Sequence, residues 1–289
     1  ITLRKGYFIK GKFDQFNRNV PFNAFVQAFR DLARQLLSES DTELKIWKDQ
    51  LLEALGENVQ VIIDLIPELA AMLGPQPPVP ELSGTAAQNR FNHLFQKFIQ
   101  VFTTPEHPLV IFIDDFQWAD SASLNLLKVL MNEAYSEYLL LLGAYRDNEV
   151  SLAHPFALTL ADIEQQGTTI GRLNLEPLNQ LDISYLVADT LMCSEQLAQP
   201  LAQLVYQKTQ GNPFFSTQFL QGLYDNQHIT FDLDMGHWRC DLTQVRQLAL
   251  TGDVVKFMEE RLQTLPDSTQ SVLTIAACIG NQFELSALA

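Results

Sequence analysis

Leu109-Val110-Ile111-Phe112-Ile113-Asp114-Asp115-Phe116-Gln117-Trp118-Ala119-Asp120 decides how the rest of this chain is read. An unbroken apolar run, without polar alternation, describes a strand covered on both faces, as in parallel sheets packed between helices. Open sheets of that kind place their ligands beyond the carboxyl ends of their strands, and Asp114 and Asp115 stand at that end. The two acids have two readings. They are carboxylates delivered to a site, or they merely cap the next helix, since apolar strands ending in Asp are common in doubly wound folds of any function.

Downstream, Asp120 has the side chain and position of a helix N-cap. The helix over 124–134 returns the chain to a second apolar strand, 138–145, which reads as buried like the first, with Arg146 at its carboxyl end. Arg146 is either a fixed, forked cation within reach of a ligand phosphate or half of a surface ion pair with Asp147 or Glu149, worth little. Upstream, helical spacing of Phe22, Phe25, Val26, Phe29, Ala33 and Leu36 predicts a helix over 22–37 with a broad apolar face. Helices follow over 41–55 and 59–73, the second broken at Pro67. The proline-rich stretch 74–80 cannot continue a helix and reads as an extended loop. A helix over 85–102 then turns Phe91, Leu94, Phe95, Phe98 and Phe102 inward, directly before the decisive strand.

Gly6-Tyr7-Phe8-Ile9-Lys10-Gly11-Lys12-Phe13 nearly matches a phosphate-binding loop, G-x-x-x-x-G-K-[ST], in which backbone N–H groups cradle phosphate, Lys reaches it and a hydroxyl holds the metal. Phe13 has no hydroxyl, Tyr7-Phe8-Ile9 favour a strand, and no amphipathic helix follows Lys12 directly. The segment is therefore read as a strand at 7–10 that mimics the motif. The chain opens on Ile1 rather than methionine, and the expectation is that it begins partway through a domain.

Beyond Arg146, residues 170–178 read as a further sheet strand with its exit toward helices at 179–190, 195–209 and 213–226. Gly211 and Pro213 lie between the last two, where Gly closes one helix and Pro opens the next at its first turn. Alternation in 229–242, interrupted by Gly236, predicts a β-hairpin, and 254–265 and 267–279 read as helices separated by Pro266. The 289 residues are 47% hydrophobic and 18% charged, enough for a core and for two or three domains. A net charge of −15 argues against a broad surface for nucleic acid or anionic lipid. Three widely spaced cysteines include no C-x-x-C pair, and His237 with Cys240 lacks a second ligand pair for zinc. No leader or apolar run of membrane-spanning length appears, which suits a reducing cytoplasm. There is no G-x-S-x-G elbow, no H-E-x-x-H, and no protein-kinase catalytic loop.

Asp114-Asp115-Phe116-Gln117-Trp118-Ala119-Asp120 followed by a helix resembles the Walker B segment of the STAND class of signal-transduction ATPases, a branch of the AAA-related P-loop NTPases. Residues 6–16, Gly-Tyr-Phe-Ile-Lys-Gly-Lys-Phe-Asp-Gln-Phe, and 21–32, Pro-Phe-Asn-Ala-Phe-Val-Gln-Ala-Phe-Arg-Asp-Leu, look like the ATPase region of large bacterial multi-sensor serine/threonine and histidine kinases, best known from cyanobacteria. The resemblance runs through nearly the whole chain. It implies an AAA-like α/β domain at 1–178 lacking its first, phosphate-loop strand, a helical lid at 179–227, and a hairpin with a partial winged-helix-like module at 228–289. The missing strand would lie between 138–145 and 169–175, leaving two unpaired edges and weak ATP binding by the chain alone.

The resemblance assigns Mg2+ to Asp114, the attacking water to Asp115, γ-phosphate sensing to Arg146, and contact with the adenine to Gly211 and Pro213. ATP is the implied ligand, and kinase and GAF sensor domains outside these residues are the implied intramolecular partners, with other signalling proteins possible and neither nucleic acid nor membrane. Asp at 115, where many AAA ATPases carry Glu, leaves hydrolysis open. The alternatives are a scaffold that binds nucleotide without turnover, or binds none, and the ATPase module of a STAND transcription regulator. Lys256, Arg261, Arg239 and Arg246 are too few and too mixed with acids for a DNA-binding wing.

Overall fold

The computed structural model describes residues 6–16, 20–80, 82–131, 137–234, 236–242, 259, 262–263 and 265–279. The chain divides into two compact units, residues 1–171 and 172–289.

The first unit is built on three parallel strands in the order β1 (Tyr7–Lys12), β2 (Leu109–Asp114), β3 (Leu139–Gly143). Side chains alternate across a strand, so the register sorts them into two faces. Ile9, Ile111 and Leu141 form a row on one face, as do Gly11, Ile113 and Gly143. This face is covered, and Ile9, Ile111 and Ile113 are fully buried in the main core. Its cover is aromatic. Helices α1 (Asn23–Leu36) and α5 (Gly84–Phe102) bring Phe29 edge-on to Phe95 and Phe98, with ring centroids 5.1 and 5.3 Å apart, a geometry that adds to simple burial. Gly11 is required by this packing: a Cβ there would lie 1.8 Å from the Ala24 carbonyl oxygen of α1. The near-match to a phosphate loop is thus strand β1, and Gly11 serves close helix–strand approach.

The opposite face carries Phe8, Val110 and Leu140 in one row and Lys10, Phe112 and Leu142 in the next. Here Phe8 is 44%, Leu140 52% and Leu142 42% exposed. The expectation of a second buried strand is therefore corrected, because among the described residues nothing covers this face of β3. Residues 170–178 form no strand either. A strand exists only against a paired neighbour, β3 has a described neighbour on one side only, and Leu173 and Leu175 stand in solvent.

Around the sheet, α2 (Asp41–Leu55) starts at Ser40, whose hydroxyl accepts from the Glu43 N–H at 3.4 Å. Next, α3 (Val59–Leu65) stops before Pro67, which opens a 3-10 turn leading into α4 (Ala70–Leu73), as a ring without an N–H dictates. After β2, α6 (Ser121–Leu130) begins at Asp120, and after β3 comes α7 (Pro155–Gln165), capped by His154. The sequence reading had no helix at α7. Pro155 at the first helical turn, with Phe156 and Leu160 four apart on one face, was the available signal.

In the second unit, α8 (Gln180–Leu191), α9 (Glu195–Thr209) and α10 (Pro213–Asp225) bury Ile183, Val187, Leu201, Val205 and Leu223 together. The first of these helices is set by a reciprocal cap in which Asn179 accepts from the Asp182 N–H and Asp182 accepts from the Asn179 N–H, both at 3.0 Å. The predicted hairpin is present as antiparallel β4 (Ile229–Asp232) and β5 (His237–Cys240), with Trp238 edge-on to Tyr224 and Phe231. Helix α11 is Asp267–Ile279. The helix expected over 254–265 falls almost wholly outside the described residues. Among them, no helix is long and apolar enough to cross a membrane.

Candidate functional site

The carboxyl ends of β1, β2 and β3 meet around the acidic pair. Phe13 N–H donates to the Asp114 carbonyl at 3.1 Å, and Phe116 N–H donates to the Ala144 carbonyl at 3.0 Å, so the backbone leaving β2 is tied to both neighbours. Between them the chain turns sharply at Asp115, with φ 56° and ψ 44°. Such left-handed backbone is costly for most residues but tolerated by Asp and Asn. The turn keeps two consecutive side chains at one end of the sheet, where an extended strand would have sent them to opposite faces. Phe116 then packs on Phe156 at 4.7 Å and against Gly143, where a Cβ would meet its ring at 2.9 Å.

Asp114 is the open carboxylate. Its side chain is 37% exposed, Oδ1 accepts from the Asp115 N–H at 2.9 Å, and Oδ2 accepts from Lys12 Nζ at 3.1 Å. Asp115 is the enclosed one, 6% exposed. Its Oδ1 accepts from Gln117 Nε2 at 2.9 Å and lies 3.9 Å from Arg146 Nε. Its Oδ2 sits 2.6 Å from Lys12 Nζ as an ion pair, yet has no well-directed hydrogen bond. Burial alone would raise the Asp115 pKa, but Lys12, Gln117 and Arg146 outweigh it and hold the carboxyl below its ordinary range. Burial alone would lower the Lys12 pKa, and the two carboxylates outweigh that in turn, so the ammonium is held above its usual value.

Arg146 makes the surface ion pair of its second reading and also brings its guanidinium near the acidic pair. Its Nη1 donates to Glu149 Oε1 at 3.1 Å, its guanidinium lies 5.5 Å from the Trp118 ring centroid, and its backbone N–H donates to Gln117 Oε1 at 3.2 Å. Gln117 is buried and uses both ends of its amide, joining the Asp115 turn to the end of β3. Asp120 is a structural residue as expected: Oδ1 accepts from the Ser123 N–H at 2.9 Å to cap α6, and Oδ2 accepts from the Phe22 N–H at 3.3 Å, holding the left-handed start of α1.

Asp114, Asp115 and Arg146 therefore converge. Lys12 and Gln117 belong with them and were missed by sequence reasoning. Lys12 was set aside with the false phosphate loop, although a parallel register that places it opposite Asp114 would have pointed to it. Gly211 and Pro213 lie in the second unit. Gly211 has φ 77°, and a Cβ there would fall 2.0 Å from the Leu178 carbonyl oxygen. Asn212 caps α10 by accepting from the Phe215 N–H at 3.1 Å, with Pro213 in its first turn. The helix-boundary reading of these residues is met in full.

Residues 1–142 match the family model of the AAA ATPase domain. The matched stretch takes in Lys12, Asp114, Asp115 and Gln117 and stops before Arg146, and its α/β architecture on a parallel sheet is consistent with a P-loop NTPase-like fold. Over 98% of its own length the chain is 32% identical to hybrid signal transduction histidine kinase G of Dictyostelium discoideum, of which it spans 10%. No solved structure matches the chain. In the AAA-matching stretch the pair offers the donor type a hard divalent cation takes, carboxylate oxygens, one exposed and one buried without a directed hydrogen bond, although among the described residues no group of three or more His, Cys, Asp or Glu side chains gathers to hold a metal ion.

Proposed function

We propose that this chain is a nucleotide-switch module of a multidomain signal-transduction kinase, of the STAND type and related to the multi-sensor kinases. The observation that carries the proposal is the convergence of Asp114, Asp115 and Arg146 at the carboxyl ends of one parallel sheet, joined by Gln117. Asp114, the exposed carboxylate, would hold Mg2+. Bound Mg2+ with ATP would supply charge neutralisation of the phosphates and polarisation of the terminal phosphoryl group. Asp115, fixed by Gln117 and kept ionised, would orient a water molecule. Arg146, parked between Glu149 and Trp118, is a fixed fork suited to a terminal phosphate. Gly211 and Pro213, at the start of α10, would cover the base, with residues 179–227 as the lid and 228–289 as a hairpin and winged-helix-like relay.

A phosphate-binding loop is part of this reading and is absent from the 289 residues, where the sole near-match is strand β1. The loop would come from sequence outside them, its strand pairing with the free side of β3 and its helix covering Phe8, Leu140 and Leu142. Kinase and GAF domains of the same protein are the proposed partners and the cytoplasm the proposed setting. A second reading, nucleotide binding without turnover, is favoured by the hold of Lys12 and Gln117 on Asp115, which leaves that carboxylate engaged.

The test is Mg-ATP binding and turnover by a longer form that adds about 30 residues, the scale of one strand–loop–helix unit, before residue 1, beside its Asp114→Ala variant. Metal-dependent affinity lost in the variant supports the switch, and turnover sensitive to Asp115 makes it an ATPase. A folded long form that binds no nucleotide reduces the module to a scaffold.

A further inference from the structure

Lys12 has no task in the nucleotide reading, yet it makes the shortest charged contact at the site. Its Nζ lies 2.6 Å from Asp115 Oδ2 and 3.1 Å from Asp114 Oδ2. The two contacts are unequal in what breaking them would cost. Asp115 is 6% exposed, so taking the ammonium from its Oδ2 strands a buried charge. Asp114 is 37% exposed, and water replaces any partner it loses. Lys12 itself is 41% exposed on a flexible stem. The easy motion is for Nζ to leave Asp114 while remaining on Asp115. Arg146, a second cation beside the pair, is 3.9 Å from the opposite oxygen of Asp115 and is tied to Glu149, so it does not take Lys12's place.

We propose that Lys12 is a resident counter-cation of the acidic pair, competing with a divalent cation for Asp114 while staying on Asp115, and so setting the cation concentration at which the site loads. This rests on the reading of Asp114 as the metal ligand. Its logic is charge displacement: a like charge parked at a ligand oxygen must be moved before a second cation binds there, and removing it strengthens that binding.

The probe is Mn2+ alone, without nucleotide, titrated into the 289-residue chain and followed by electron paramagnetic resonance. Lys12→Met is expected to bind Mn2+ about tenfold more tightly than wild type, a change of about 1.4 kcal/mol, while Lys12→Arg, which keeps the charge, stays near wild type. A second arm needs no substitution: acetic anhydride at limiting dose, read by mass spectrometry, should acetylate Lys12 faster when Mn2+ is present, because the ammonium has been moved off Asp114. If Lys12→Met does not fold, this arm decides alone. If Mn2+ binding is lost in Asp114→Asn, yet neither Lys12→Met nor the acetylation rate responds, the role of Lys12 is overturned and the metal reading of Asp114 stands. If Asp114→Asn binds Mn2+ as wild type does, both fall together.

Discussion

The two faces of the three-stranded sheet are made by the same strands, yet they live in different environments. On one, Ile9, Ile111 and Ile113 are fully buried beneath the phenylalanines of α1 and α5. On the other, Phe8, Leu140 and Leu142 stand roughly half exposed among the described residues. An unbroken apolar strand implies cover on both sides, and among the described residues this face has none. In the proposed reading its cover is the helix of a phosphate-binding loop. The contrast separates what holds this unit together from what would complete its site.

Ile111→Ala attacks the covered face at its centre and is expected to cost about 4 kcal/mol in urea unfolding, through lost burial and the cavity left behind. A cost near zero would mean that the aromatic cover is not the core. Gly11→Ala, on the same face, drives a methyl group into the Ala24 carbonyl at 1.8 Å, with an expected loss of about 2–3 kcal/mol. If that variant is as stable as wild type, β1 and α1 are further apart than described. Asp120→Ala removes the cap of α6 and the acceptor for the Phe22 N–H, worth about 1–2 kcal/mol.

Leu140→Ser on the bare face should change stability by less than about 1 kcal/mol in this chain. The same substitution in a form extended before residue 1 should cost about 2 kcal/mol, the burial of a leucine. Equal small effects in both forms would leave the bare face without its proposed cover. The smallest effect is in pH dependence. Asp115 is held below the ordinary carboxylate value of 3.8, so in acid the unfolded chain takes up this proton before the folded one does. Its contribution is present above that value and fades as pH falls through the lower folded one. The stability gap between wild type and Asp115→Asn should therefore narrow on acidification, and a gap that widens would contradict the assigned direction.

Much of the covered face could be read directly from the chain, because phenylalanines at helical spacing in α1 and α5 and the apolar run of β2 report burial without any partner being known. The bare face misled for the same reason: the leucines of β3 have the composition of a buried strand, and exposure is a property of what lies opposite. Residues 170–178 have a strand-like pattern and form no strand, because local pattern cannot show whether a neighbour lies alongside to pair with. At the site, Asp114, Asp115 and Arg146 were legible as polar residues following apolar strands. Lys12 was not, since its partner Asp114 is 102 positions away and only the register joins them. Gln117 was hidden by its neutrality, although its buried amide links the Asp115 turn to β3.

The left-handed turn at Asp115 has a bearing on which residues this position admits at all. Its φ of 56° penalises a branched or long side chain before any chemistry is considered. A library randomised at position 115 and sorted only for folding should be enriched in Asp, Asn and Gly and emptied of Val and Ile. Glu, with its longer side chain, would enter that contest with a backbone handicap of its own. Handedness then acts as a filter on position 115 before any chemistry does, and the acid found there comes from a short menu that the peptide chain had already written.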